Sequence, residues 1–328
     1  MVHLSILDLA IIAEGDSTLD AINRTVKVAQ HAEKLGYKRI WLAEHHNMKN
    51  IASSSTALLI SHVAAHTTSI RVGSGGIMLP NHSPLSVAEA FGTLDILYPN
   101  RIELGLGRAP GTDQLTAMAL RRGNSQSAYN FPSDIKEIQN YFYNTDADAK
   151  VRAFPGEGNP VPIYILGSST DSAYLAAEMG LPYAFAAHFA PAQLTHAMQI
   201  YQNHFKPSRF LDQPYSIACV NVYTAPTEEE AHFLSTSLYK MFINLVTNQR
   251  GYLQPPGDLP ETYNHPQVQH MVKNMLDCTF IGNPQNVKND LNAFAEKLNL
   301  QEIMMSTNIY DTDAKLRSYQ LVKEAFDH

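Results

Sequence analysis

Residues 101 to 113 read RIELGLGRAPGTD, a short apolar run followed by a glycine-containing turn. Its first half alternates apolar residues and then ends in small ones, which is typical of a buried strand. Its second half is a turn that holds Arg108 among glycines. A guanidinium beside exposed backbone amides is suited to bind an anion. The alternative is that Arg108 only pairs with a carboxylate at the rim of a sheet or barrel.

The glycines of this stretch do not form the dinucleotide fingerprint G-x-G-x-x-G. They stand at Gly105, Gly107 and Gly111, so the third glycine falls one residue late, and Ala109-Pro110 occupies the turn. The sequence contains no G-x-x-x-x-G-K-[ST] phosphate loop either. If a phosphate binds here, a side chain must therefore assist the backbone amides.

The composition is that of an ordered globular protein. The chain has 328 residues, of which 45% are hydrophobic and 17% charged, and its formal net charge is -7. We expect no nucleic-acid partner, because phosphate backbones require a basic face that this sequence lacks. Its two cysteines form no C-x-x-C pair, which fits a reducing cytoplasm. The N-terminal apolar run lacks a basic region and no stretch is long enough to span a bilayer, so we expect neither secretion nor membrane contact.

Apolar strand patterns alternate with helical patterns along the whole chain. Strands that are flanked by helices form parallel sheets with both faces buried, and eight such units close naturally into a ring. We therefore predict a (β/α)8 TIM barrel in one domain, residues 1–328, with residues 248–278 as a lid or insertion before the last strand. The predicted strands are 4–12, 39–43, 70–73, the first half of 101–113, 162–166, 183–187, 215–223 and 302–305.

In a barrel, the loops that follow the strands lie together at one end, where active sites are found. The polar loops are therefore predicted to surround one cavity. These loops are 44–47, 74–82, 107–113, 167–172 and position 188.

Glu44-His45-His46 ends the second predicted strand. Two histidines beside a carboxylate can supply acid-base groups or metal ligands. Adjacent residues at a strand end point in different directions, and no third ligand follows at zinc spacing, so the pattern favours a catalytic or cofactor-polarising His45 over a metal site. A plain loop histidine is the alternative. His62 and His66 lie one helical turn apart but lack the glutamate of H-E-x-x-H, which favours a helix surface, and we predict no metal.

Two further loops are rich in small or hydroxyl residues. Ser74-Gly75-Gly76 removes side chains just after a strand, which lets a flat ring approach the backbone, although a flexible turn has the same pattern. Residues 167–172, GSSTDS, begin a helix whose free amides and dipole attract an anion. An ordinary serine N-cap is the alternative.

Together these stretches resemble the bacterial luciferase-like family of flavin-dependent monooxygenases over nearly the whole chain. The resemblance implies a (β/α)8 barrel with an insertion before the last strand, in agreement with the strand count. The motifs that carry it are AEHH at 43–46, VGSGGIMLPNHSP at 72–84, RIELGLGRAPGTD at 101–113, LGSSTDSAYLAAEMGLP at 166–182 and IGNPQNV at 281–287.

The resemblance also implies site residues. His45 matches the active-site histidine beside the flavin, with Glu44 next to it as a second catalytic residue. Gly75-Gly76 matches a cis peptide against the flavin face, and Arg108 matches the phosphate-binding arginine. Gly107 stands where the luciferases carry a reactive cysteine, and this departure weighs against light emission. The remaining implied cofactor contacts are Leu166, Gly167, Ser168, Ser169 and Ser172.

The implied cofactor is reduced FMN, delivered by a separate NAD(P)H-dependent flavin reductase. Its reaction with O2 gives a C4a-peroxyflavin that oxygenates a small organic substrate, which the resemblance does not name. A deazaflavin-dependent dehydrogenase or reductase on the same barrel and a non-catalytic flavin-binding protein remain as alternatives. By analogy we also expect a homodimer, with helices 53–66 and 85–97 as the shared face.

Overall fold

The computed structural model describes residues 2–121, 128–143 and 148–327, in which strands alternate with helices. The strands are β1 His3–Asp8, β2 Arg39–Leu42, β3 Arg71–Met78, β4 Ile102–Gly107, β5 Ile163–Gly167, β6 Tyr183–Ala186, β7 Ser216–Thr224, β8 Thr279–Gly282 and β9 Glu302–Ser306. The helices are α1 Thr18–Lys34, α2 Thr56–Ala65, α3 Pro84–Leu97, α4 Gln114–Arg121, α5 Phe131–Tyr143, α6 Thr170–Met179, α7 Leu194–His204, α8 Glu228–Val246, α9 Pro266–Met275, α10 Pro284–Leu298 and α11 Thr312–Asp327.

Eight of the strands close into a parallel barrel. Their order is β6-β5-β4-β3-β2-β1-β9-β7, and β6 also pairs with β7, which completes the ring. In the register of the ring, Leu7 of β1 lies opposite Trp41 of β2 on one side and Ser306 of β9 on the other. The strands are buried because helices cover the outside and side chains fill the inside. The predicted (β/α)8 barrel is confirmed.

The strand β8 is not predicted from the sequence. It pairs with the second half of β7, where Asn221 lies opposite Thr279, while the first half of β7 pairs with β6. Its four residues, Thr279–Gly282, are too few to show a periodic pattern next to a Pro- and Gly-rich segment. That segment, 248–278, contains the helix α9, and its action as a lid stays a prediction.

Other differences from the sequence predictions lie at the ends of elements. The first strand ends at Asp8 and not at residue 12, because Ala10 takes a positive φ of 49° that leaves the extended conformation. The helix of the GSSTDS motif begins at Thr170, so part of the motif is already helical. Residues 122–127 and 144–147, within the region predicted as irregular, lie outside the described residues.

The N-terminal end of the barrel is filled by a buried ion network. The side chain of Arg39 is 1% exposed and lies between two carboxylates, with Nη1 2.9 Å from Glu103 Oε2 and Nε 3.1 Å from Glu302 Oε1. Trp41 Nε1 also donates to Glu103 Oε2 at 2.8 Å. These groups stabilise the end of the barrel opposite the predicted active site.

The helices on the outside of the barrel concern the predictions about membrane contact and about a homodimer. Within the described residues, none of the helices combines the length and apolar character needed to cross a membrane. The helices α2 and α3 expose apolar side chains, among them Leu58 and Leu97. The homodimer with these helices as its shared face stays a prediction.

Candidate active site

The C-terminal ends of the barrel strands surround a cavity of about 210 Å³. Side chains that follow β1, β2, β6 and β9 line it, together with residues of β7, α8 and the segment after α8. The wall is mainly apolar, and none of the described residues that line it is acidic. Its polar side chains are those of His45, Asn50, His188, Asn221, Asn244, Arg250 and Asn308.

His45 lies just after β2, and its ring lines the cavity. Its Nδ1 is 3.2 Å from the carbonyl oxygen of Gly111, and because a carbonyl only accepts hydrogen bonds, Nδ1 carries the proton. Burial lowers the pKa of His45 from its ordinary value, and the Gly111 carbonyl opposes this shift only in part. The ring is therefore neutral at pH 7, with a free lone pair on Nε2 that can accept a proton.

Gly111, the third glycine of the 101–113 stretch, has a backbone conformation that places its carbonyl against His45. Its φ is 64°, and a Cβ there would lie 2.8 Å from the backbone oxygen of Glu44. Both the left-handed conformation and this close approach favour glycine. The stretch that carries Arg108 thus also orients the histidine.

Glu44 does not line the cavity, although the resemblance implies that it is catalytic. Its carboxylate is buried and accepts hydrogen bonds from His46 Nε2 at 2.8 Å, His82 Nε2 at 2.9 Å and the backbone amide of Met78 at 3.1 Å. Burial raises the pKa of the Glu44 carboxyl, but these hydrogen bonds outweigh it and the net shift is downward. Neighbouring side chains alternate at a strand end, so Glu44 faces away from the side that His45 lines. The hydrogen bonds of Glu44 tie the end of β2 to β3 and the loop after it, and a catalytic role for Glu44 stays a prediction.

The cluster of Glu44, His46 and His82 is the candidate cation site of the structure. Their ligand atoms lie within 4.8 Å of one another among the described residues. Sequence reasoning missed the third member because His82 lies 38 positions from Glu44, on the loop after β3. Both imidazoles hydrogen-bond the carboxylate, and the bond from His82 ties the end of β2 to the loop after β3. The absence of a metal stays a prediction.

Barrel closure brings Arg108 next to the start of α6. Its Nη2 lies 3.4 Å from Asp171 Oδ2, and both side chains are exposed, at 49% and 71%. Asp171 belongs to the first turn of α6, whose N-cap Ser169 makes no side-chain capping hydrogen bond. The Arg108 guanidinium and the N-terminus of α6 therefore lie side by side, although they belong to loops that are distant in the sequence.

The serines of this loop differ in their hydrogen bonds. Ser172 Oγ donates to the Ser169 carbonyl at 2.7 Å and lies 2.9 Å from the Tyr183 hydroxyl. Its hydroxyl therefore faces Ser169 and Tyr183, and the cofactor contact that the resemblance implies for Ser172 stays a prediction. The hydroxyls of Ser168 and Ser169 form no hydrogen bond with other described residues. These two remain as side-chain donors, with the helix amides beside them.

The peptide bond between Gly75 and Gly76 is cis, as the resemblance implies. A Cβ on Gly76 would lie 2.7 Å from the carbonyl oxygen of Gly105 and 3.2 Å from Leu166 Cδ2. The strand end therefore has no room for a side chain at this position.

The neighbouring implied contacts lie on adjacent strands. Gly107 ends β4, and a Cβ there would meet Met78 Sδ at 3.0 Å, so a larger residue requires Met78 to move. A Cβ on Gly167 of β5 would meet the Ser172 hydroxyl at 2.0 Å, which explains the glycine. None of Gly107, Leu166 or Gly167 lines the cavity itself.

His188 is a cavity residue that the site assignment from the resemblance omits. Its Nδ1 is buried and has no hydrogen-bond partner among the described residues. Burial, with a smaller contribution from His45, lowers the pKa of His188 to about 3. Asn221 Nδ2 holds the segment by donating to the His188 carbonyl at 2.6 Å. The signal for this residue was its position after the sixth strand, since loops at that end of a barrel face the site.

The comparisons with known proteins agree with this architecture. The family model for luciferase-like monooxygenases matches residues 2–300. The chain belongs to the luciferase-like monooxygenase family. A luciferase-like monooxygenase of Escherichia coli K12 is 46% identical over 323 residues, which cover 98% of this chain and 96% of that protein. The N-acetyl-S-alkylcysteine monooxygenase of Bacillus subtilis 168 is 32% identical over 342 residues, which cover 99% of this chain and 98% of that protein.

Solved structures superpose over nearly the whole chain. Apo-MsnO8 matches with a TM-score of 0.91 and 31% identity and covers 100% of this chain and 99% of its own. The oxygenating constituent of 3,6-diketocamphane monooxygenase from Pseudomonas putida, solved with FMN, has a TM-score of 0.75 at 16% identity. The match covers 98% of this chain and 97% of that chain. An F420-dependent secondary alcohol dehydrogenase has a TM-score of 0.73 at 14% identity, and the match covers 99% of this chain and 98% of that chain. The last two likenesses show a shared fold alone. The family predicted from the motifs is confirmed, and membership supports an oxidoreductase of the monooxygenase type.

Proposed function

We propose that this protein is a monooxygenase that uses reduced FMN and O2 to oxygenate a small organic substrate. A separate NAD(P)H-dependent reductase supplies the reduced flavin. One observation carries the proposal. Arg108 lies next to the start of α6, at the same end of the barrel as the cavity and His45. When bound, FMN supplies the two-electron activation of O2 that amino-acid side chains lack.

The phosphate is assigned to Arg108 and the N-terminus of α6. An exposed ion pair such as that of Arg108 with Asp171 contributes only about 0–1 kcal/mol, so a phosphate can replace the carboxylate. The guanidinium then gains a doubly charged partner with bidentate geometry, while the Ser168 and Ser169 hydroxyls and further amides of the α6 N-terminus donate to the remaining oxygens. The amide of Thr170 is not among these donors, since it donates to Gln193 Oε1 at 3.0 Å. The residues present therefore fit a flavin phosphate, and a contact from Ser172 stays a prediction because its hydroxyl donates to the Ser169 carbonyl.

The proton chemistry is assigned to His45. Its neutral ring can accept a proton at Nε2 while the Nδ1 hydrogen bond to Gly111 fixes its orientation. The ionised Glu44, held by His46 and His82, fixes the strand end from which the ring projects. The apolar wall of the cavity excludes water from the reacting groups. A base held in this way favours catalysis over mere storage of flavin.

FMN is preferred to a deazaflavin because of the relatives. The two curated relatives above, at 46% and 32% identity, are both named monooxygenases. The deazaflavin-dependent neighbour is only 14% identical and shares the fold alone. The name of the second relative also makes thioethers of the S-alkylcysteine type a starting class for substrate trials.

The variant Arg108→Ala tests the phosphate assignment. We expect it to weaken FMN binding by about tenfold to a hundredfold, because charge-assisted hydrogen bonds contribute about 1.5–3 kcal/mol each, and to leave riboflavin binding unchanged. Flavin fluorescence titration of both ligands measures this. Arg209→Ala is the matched control, since Arg209 packs on Tyr143 beside the opposite end of the barrel. An equal loss for FMN and riboflavin would show that Arg108 does not hold the phosphate.

A further inference from the structure

Arg250 is a cation at the cavity that has no acidic partner. It lies after α8, is exposed, and lines the cavity. Among the described residues, no carboxylate lies within 4.0 Å of its guanidinium, and its side chain forms no hydrogen bond. A guanidinium that faces a ligand cavity without a counter-ion is available to an anionic ligand.

We propose that the substrate is an organic acid with an apolar body, whose carboxylate pairs with Arg250 while its body enters the cavity. The inference rests on the proposed function for the reaction that follows binding. It deepens that function by naming the chemical class of the substrate.

The charges around the cavity support an anionic substrate. Among the described residues that line the cavity, Arg250 alone is charged. The two histidines of the cavity, His45 and His188, have lowered pKa values and are neutral. The protein as a whole is acidic, with a formal net charge of -7, so its surface in general repels anions. A local positive charge at the cavity therefore selects for an acid and orients it as it enters.

The apolar wall defines the rest of the substrate. Side chains from four parts of the barrel end contribute to it, and an unbranched alkyl, thioether or aromatic body matches them by burying apolar surface. The bound substrate would also contact His45 and His188, which line the same cavity. The apolar contributors include Leu9, Met48, Ile51, Phe189, Met241 and Leu245.

The charge of Arg250 is not needed for the cofactor phosphate. Arg108, Ser168 and Ser169, to which we assign the phosphate, do not line the cavity, whereas Arg250 does. The two cations therefore serve different ligands.

The backbone next to Arg250 is anchored. Leu253 accepts from the Glu14 amide at 2.8 Å and donates to the Ile12 carbonyl at 3.0 Å, which ties this segment to the chain that follows β1. Arg250 is thus held three residues from a fixed point at the cavity.

The test compares acids with their uncharged esters on the purified protein. The probes are octanoate, phenylbutyrate and N-acetyl-S-butylcysteine, each with its methyl ester, and binding is measured by calorimetry without flavin and without turnover. We expect at least one acid to bind about tenfold tighter than its ester, and more weakly at high salt. Arg250→Gln should remove this preference, and Arg250→Lys should retain part of it.

Lys49→Gln is the matched control. Lys49 lies over the ring of Tyr252 near the same segment but does not line the cavity, so its loss should leave the acid preference in place. The proposal is overturned if no acid binds better than its ester, or if Arg250→Gln keeps the preference. Because no flavin is present, this outcome is independent of the Arg108 titration, and either assignment can fail while the other stands.

Discussion

His45→Ala is expected to keep FMN binding and to lower the rate of substrate oxygenation by about a hundredfold or more, as is usual when a positioned acid-base group is removed. The loss follows from removing Nε2, the free base of a neutral ring whose other nitrogen is bonded to Gly111. Steady-state turnover with reduced FMN and flavin titration measure the two quantities. His62→Ala is the matched control, since His62 lies exposed on α2, as the sequence predicts. Unchanged turnover in His45→Ala would exclude the catalytic role.

We also expect His45 to determine how kcat/KM depends on pH. Burial lowers the pKa of His45 below its ordinary value of about 6.5, so the base stays unprotonated at neutral pH. The rate constant kcat/KM should therefore be flat near neutrality and decline only as the pH falls through this lowered pKa, where the ring gains a proton. The pKa of His188 is lowered as well, to about 3, by burial and by the nearby His45. An acid limb that persists in His45→Ala would assign the titration to another group.

Arg39→Met is expected to reduce the free energy of unfolding by about 3–5 kcal/mol, because it removes the buried cation that lies between two buried carboxylates. Glu103 then keeps only the half-exposed Arg71 as a counter-ion, and Glu302 keeps only Lys38, at 3.6 Å. The guanidinium of Arg39 is 1% exposed, and Glu103 and Glu302 have no access to water that would replace it. Denaturant unfolding followed by circular dichroism measures the change. The site at the other end of the barrel takes no part in this effect, so the folded fraction should still bind FMN.

Arg71→Met is the matched control for this loss. Arg71 also pairs with Glu103, at 3.2 Å, but its side chain is 47% exposed, so its removal should cost less than about 1 kcal/mol. A combined variant with Glu103→Gln and Glu302→Gln beside Arg39→Met should recover much of the lost stability, since no buried carboxylate remains and Arg71 and Lys38 are partly exposed. If Arg39→Met is no more destabilising than Arg71→Met, the network does not stabilise the barrel.

The barrel is predictable because strand and helix patterns repeat with clear periods. RIELGLGRAPGTD is a strand and turn in both the sequence prediction and the structure, and it places Arg108 opposite the GSSTDS motif once the ring closes. His45 is predictable for the same reason, since a polar residue that follows a barrel strand faces the site. These conclusions need only the local pattern and the rule that the strand ends meet.

Other features depend on side-chain directions and distant partners, which a single sequence does not encode locally. The turn of Glu44 away from the cavity follows from its contacts with His46 and His82, and the latter lies on another loop. The direction of the Ser172 hydroxyl follows from the earlier start of α6 and from Tyr183. Arg250 lies in a segment without periodicity, so its place at the cavity emerges only from the fold.

The central claim, that this barrel end binds FMN and uses it with O2, is tested most directly by a competition titration. Wild-type protein is titrated with FMN and then with coenzyme F420, and O2 uptake is recorded with each reduced cofactor. The expected result is one FMN bound per chain, no displacement by an equal concentration of F420, and O2 uptake with reduced FMN that yields oxygenated substrate in place of the H2O2 that free reduced FMN releases. Displacement of FMN by F420, or O2 uptake that yields only H2O2 with every substrate tried, would contradict the claim.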